Sequence, residues 1–447
     1  MRGWAAGAAA VGLVFAACAR QPATPPFTGE PYLLVWAGDA DRQSSDFLAV
    51  LDADPRSPSY GKVLRTVPVR SRGNEPQSLN DELRPDRRVF ASGILTNRTF
   101  VFDVRQPLAA TLVHVDEPDR TRALGAPGAV VSLPNGDVAV ACADPVRYHN
   151  DAREVLAAAG GLLELSADGQ PVREASASDP SARAFIVAPH GAAVSRSLDR
   201  ILTTSTGHGY AATARGERVP GITAQVWRTN PLALEKTVVL EAGPRGEENL
   251  APVTPRWFHR QPIAYVDAEG GGLYASDSLG TPTPLMRLVF DFGPGAFAGG
   301  AAVTPDDRFY VVALGGRNRV ASFDVTDPWS PKLASAVRFD QDPANEGQAR
   351  VGGPHHLAMS ADGSRIAVSD YTVDVPGWVR DGDHRVYLVR LDTATGRLRI
   401  DEAFRDELTG EVGVDFNRTH WPHGDTGPAR PAGLLFAAAE APPAKKR

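Results

Sequence analysis

The chain has 447 residues, 43% of them hydrophobic and 22% charged, with a formal net charge of −6. That mildly acidic balance gives no electrostatic footprint for nucleic acid, and no run beyond the N-terminus approaches membrane-spanning length. Only two cysteines are present, Cys18 and Cys142, so the core has to hold without a disulfide framework.

Met1 and Arg2 make a short positive start, and Trp4 to Ala17 is uncharged and rich in Ala and Val. This run falls short of the roughly 20 apolar residues that cross a bilayer, and it ends in small residues, as an export signal does. Phe15-Ala16-Ala17-Cys18 resembles a bacterial lipoprotein box, with Phe where Leu is usual. On that reading residues 1–18 are a signal peptide and Cys18 is the lipidated first residue of the mature chain. Residues 19–30 are then a flexible linker, and the protein sits on the periplasmic side of a bacterial membrane, held by the lipid alone. The alternative is an ordinary export signal with an incidental cysteine.

From residue 31 onward the pattern is all-β. Helical periodicity is confined to Asp151–Ala159, an Ala-rich stretch in a loop. Elsewhere short apolar runs follow turn signals, and one unit recurs. Arg84-Pro-Asp precedes Val89-Phe-Ala-Ser92, and Pro134-Asn-Gly-Asp137 precedes Val138-Ala-Val-Ala-Cys142. Thr304-Pro-Asp-Asp precedes Phe309-Tyr-Val-Val-Ala313, and Ser360-Ala-Asp-Gly precedes Ile366-Ala-Val-Ser369. Weaker copies stand at Ser197–Thr203 and Glu269–Ala275. Repeats of about 40 to 70 residues, each a small sheet unable to bury both faces alone, predict a β-propeller.

The inner strands begin at Pro76-Gln77-Ser78, Pro127-Gly128-Ala129, Pro189-His190-Gly191, Pro255-Arg256-Trp257, Ala298-Gly299-Gly300, Pro354-His355-His356 and Pro431-Ala432-Gly433, which predicts seven blades. Gly433–Phe436 comes too near the end of the chain to start a blade of its own. It is expected to pair with Tyr32-Leu-Leu-Val-Trp36 and close the ring over residues 31–437, leaving 438–447 as a disordered basic tail. Cys142, in an apolar run with nothing cationic beside it, reads as a buried strand residue rather than a reactive thiol.

Tyr32–Asp39, Asn97–Asp103, Leu133-Pro-Asn-Gly136, Gly353-Pro-His-His-Leu357, Ser369-Asp-Tyr371, Asp381–Val386 and Ala429–Gly433, in this order, resemble the selenium-binding protein family, which includes the copper-dependent methanethiol oxidases. The resemblance implies a seven-bladed propeller. It also implies channel histidines holding copper, at a Pro-His-His, a His-Pro-His and an Arg-Pro-His-Gly motif. Here those positions hold Gln77 and Ser78, Ala126 and Gly128, and Ala432. Their side chains cannot replace converging imidazoles, so no metal or other cofactor is expected at the family's position.

His190, His355 and His356, at strand starts, are the candidates for a relocated metal site, and copper is expected only if such a site exists. Asp370 and His384 are further candidate channel or ligand residues. Each lone histidine reads first as a capping or loop-anchoring residue, with the metal site as the second reading. His420 and His423, with Pro422 between them, are weak support for a metal site. No phosphate-binding loop or nucleophile elbow is present. Two functions are open: a non-catalytic propeller binding a small molecule or protein at its channel mouth, or an oxidoreductase with a rearranged histidine site.

Overall fold

The computed structural model describes residues 29–118, 122–145, 160–207, 219–339, 353–375 and 378–440. The expected export signal with Cys18, the Ala-rich stretch 151–159, His208 and residues 441–447 lie outside the described residues.

Within them the strands form seven antiparallel blades, six of four strands and a seventh of five, with a separate two-stranded ribbon, Val373–Val375 with Trp378–Arg380. Blade one holds the ring's seam. Its innermost strand is Ala429–Ala437, followed outward by Tyr32–Asp39, Phe47–Asp52 and Val63–Pro68. Across the seam Leu33 faces Phe436, Leu34 faces Leu435 and Val35 faces Leu434. Both the seven blades and this closure match the expectation from sequence. Blades two to seven start at Pro76–Leu79, Leu124–Ser132, Pro189–Ser195, Pro252–Trp257, Ala298–Val303 and His356–Met359.

Each blade is covered on both faces by its neighbours, so second strands such as Phe309–Leu314 are apolar and buried throughout instead of alternating. Trp36 packs against Phe100 and Phe102, joining blades one and two. Tyr265 meets Tyr310 edge-on between blades five and six. Each such side chain contributes about 1.5–3 kcal/mol by leaving water. The outermost strands face solvent and turn polar, as in Pro171–Ser176.

Turns between first and second strands use the predicted chemistry. Gly136 takes a φ of +94°, which glycine adopts without strain, while the Asn135 side chain accepts from the Asp137 amide at 3.0 Å. One copy sits elsewhere in its blade. Gly270-Gly271-Gly272 leads into the third strand of blade five, Gly272–Ser276, rather than the second. There the Gly271 φ of +101° supplies the tight reversal. Cys142 is buried in the second strand of blade three, and burial pushes its thiol up to about 12.

Candidate functional site

Inner strands surround a cavity of about 680 Å³. Its lining runs from Gln77, His190, His355 and His356, where the strands start, to Asp81, Glu82, Arg196 and Arg256, near where they end.

The three predicted histidines come together at the first of these levels. His355 and His356 stand edge to face with ring centroids 4.9 Å apart, and His355 also packs on Phe297. Burial, with His190 nearby, pushes the His356 imidazole down to about 3, so it is neutral at physiological pH. Its Nε2 is buried without a hydrogen-bond partner. A neutral imidazole with an idle nitrogen is a ligand in waiting. Yet among the described residues no three or more His, Cys, Asp or Glu side chains gather closely enough to hold a metal ion.

The substituted positions are accommodated as packing. Gln77 and Ser78 line the cavity; Gln77 donates to the neighbouring Pro76 carbonyl, and the Ser78 amide donates to Ser92 Oγ. Ala126 adopts a φ of +52°, and its amide donates to Asn97 Oδ1 at 2.7 Å. Ala432 is buried, with its carbonyl accepting from Ser369 Oγ at 3.0 Å. Gly128 lies against His190, whose Nδ1 would be 2.8 Å from a Cβ at position 128. These five residues do not fit the copper that the resemblance implies, and the neighbouring imidazoles do not complete a set of three.

Asp370 and His384 are not among the cavity's lining residues. They belong to a charged network where blades seven, one and two meet at the strand starts. Its centre is Glu75, whose carboxylate accepts from the Asp374 amide at 2.9 Å, from Arg42 at 3.1 Å and from the Tyr371 hydroxyl. Arg430 pairs with Asp374 at 2.7 Å. Burial drives Glu75 up to about 7, although Tyr371, the amide and both guanidiniums favour its charged form. The Asp370 amide and carbonyl bond to Arg385 and His384, so its backbone frames the loop. His384 bridges Asn417 Oδ1 and the Asp381 carboxylate. Burial alone would lower its pKa, but these two partners hold it above the ordinary value.

The pair His420 and His423 does not converge: His420 meets Thr419, while His423 lies between Thr66 and Asp425. Trp257 donates across a blade boundary to the Ala193 carbonyl, and so packs blades four and five together while touching the cavity. The sequence reading passed over Glu75, Asp81 and Arg430. An acidic pair directly after a channel strand, Asp81-Glu82, was the available signal for the second of them.

No family model matches this chain. A segment is 34% identical over 146 residues to methanethiol oxidase of Hyphomicrobium sp., spanning 29% of this chain and 32% of that protein. Methanethiol oxidase of Pongo abelii is 21% identical over 422 residues, covering 81% of this chain and 86% of the relative. Among solved structures, a hypothetical selenium-binding protein from Sulfolobus tokodaii superposes with a TM-score of 0.69 at 16% identity, over 91% and 94% of the two chains. The periplasmic gluconolactonase of Pseudomonas aeruginosa reaches 0.56 at 16% identity, over 91% and 99%. In sequence the chain resembles the selenium-binding protein and methanethiol oxidase family, and in fold it shares that family's seven-bladed propeller.

Proposed function

We propose that this is an exported, selenium-binding-protein-like propeller that binds a small molecule in its channel and does not turn it over. The observation carrying this reading is the cavity itself. About 680 Å³ is the size of a small-molecule site, and among the described residues its three imidazoles do not gather closely enough to form a metal centre. The lipoprotein-like Phe15-Ala-Ala-Cys18 supports an anchor at Cys18 on the periplasmic side of a bacterial membrane.

The test is metal content by mass spectrometry on the chain starting after Cys18, expressed with copper supplied. A folded, copper-free protein is expected. Copper near one per chain, lost in His356→Ala, would overturn the reading. It would favour a methanethiol oxidase-like oxidoreductase using His190, His355 and His356, for which the idle Nε2 of His356 is the supporting observation.

A further inference from the structure

Five carboxylate and guanidinium side chains line the cavity: Glu30, Asp81, Glu82, Arg196 and Arg256. Glu82 pairs with Arg196 at 2.5 Å, and Glu30 lies 3.9 Å from Arg365. Asp81 and Arg256 are left, and they do not meet. Asp81 follows the inner strand of blade two, whereas Arg256 belongs to that of blade five, three blades around the ring.

Arg256 is pinned from behind. Its Nε donates to the Ala301 carbonyl at 2.6 Å and its Nη1 to the Pro255 carbonyl at 3.1 Å, leaving Nη2 without a partner among the described residues. The Asp81 carboxylate likewise has no ion pair and no hydrogen bond from another side chain. Its side chain is exposed to the channel, and the surrounding protein raises its pKa against the pull of Arg256. Both charges open onto the channel, Asp81 exposed and Arg256 half-buried, and opposite charges within reach of each other in one cavity attract. Here the rigid inner strands keep them apart, so a dipolar ligand satisfies both where neither can satisfy the other.

We propose that the channel recognises a small zwitterion of the amino-acid class, its ammonium on Asp81, its carboxylate on Arg256 Nη2, and its apolar part against Leu79, Val130, Val253 and Leu434. This rests on the channel-binding reading above and names the ligand class for it.

The experiment is calorimetric titration of the mature chain with four probes: leucine, N-acetylleucine, leucinamide and N-acetylleucinamide. Leucine is expected to bind, with each singly capped form at least tenfold weaker. Asp81→Asn should abolish the preference for leucine over N-acetylleucine. Arg256→Lys, which keeps the charge but loses the fixed fork, should weaken leucine and leave leucinamide unchanged. Equal binding of all four probes would overturn the zwitterion while leaving a channel that binds small molecules. Binding of none to the folded chain would also overturn it, and the metal measurement would still decide the scaffold reading by itself.

Discussion

Gly128 and His190 share one space. A Cβ at position 128 would stand 2.8 Å from the His190 Nδ1 and 2.6 Å from its carbonyl oxygen, so the glycine and the imidazole were accommodated together. Where the family resemblance implies a histidine at 128, this chain offers an imidazole from the neighbouring blade. Gly128→Ala is expected to cost about 1–3 kcal/mol through overpacking. In a His190→Ala background the cost should shrink, because only the carbonyl still obstructs. Denaturant midpoints around this double-mutant cycle check the coupling, and strict additivity would refute it.

Glu75 makes stability depend on pH in a definite direction. The folded chain keeps its proton up to about 7, whereas an unfolded chain releases it near 4.5. Between those values the native state binds more protons, so stability falls as pH rises, by at most about 1.4 kcal/mol per pH unit for one group. Asp46, raised by burial to about 6, and Asp267, raised by burial to about 7, act in the same sense. Unfolding curves from pH 4.5 to 7.5 should show the decline, and Glu75→Gln should make it shallower.

Two histidines are expected to titrate in opposite senses. The ring signals of His356 should stay those of a neutral imidazole from pH 8 down to 5, because burial opposes its charge. His384 should gain its proton above the ordinary histidine range, and Asp381→Asn should bring its midpoint down. Proton–nitrogen correlation spectra across that range measure both.

The hydroxyl of Tyr310 donates to Asp267 at 2.6 Å in the interior of blades five and six. Tyr310→Phe leaves the ring packing intact and strips a buried carboxyl of one of its two partners, the other being the Thr254 amide, for an expected loss of about 1–3 kcal/mol. A wild-type denaturant midpoint in the variant would show that another group takes over.

The blades were legible because their strands are short apolar runs set off by turns with strong local chemistry, such as Pro134-Asn-Gly136. The seam was legible because Gly433–Phe436 and Tyr32–Trp36 are both apolar runs of the buried-strand kind, and the structure pairs them. His190, His355 and His356 were placed by their position at strand starts, and the structure brings them to one cavity. What stayed hidden depends on distant encounters. Glu75 and Tyr371 are 296 residues apart in sequence, and only ring closure makes them neighbours. Asp81 and Arg256 are opposed across the ring, a relation that neither local pattern nor spacing expresses. Asp370 and His384 lie in a well-matching stretch, but the loop that carries them turns toward Glu75 and Arg430, away from the cavity lining.

The seam sets an order of events during biosynthesis. Among the described strands Tyr32–Asp39 is the first to emerge, and its inner partner, Ala429–Ala437, is the last. Until translation reaches that final strand, the first blade presents an open edge of unpaired amides and carbonyls beside buried-type side chains such as Leu33 and Val35. A chain crossing a membrane from its N-terminus would carry this adhesive edge into the new compartment long before the strand that covers it arrives, and would be exposed to mispairing there for that interval.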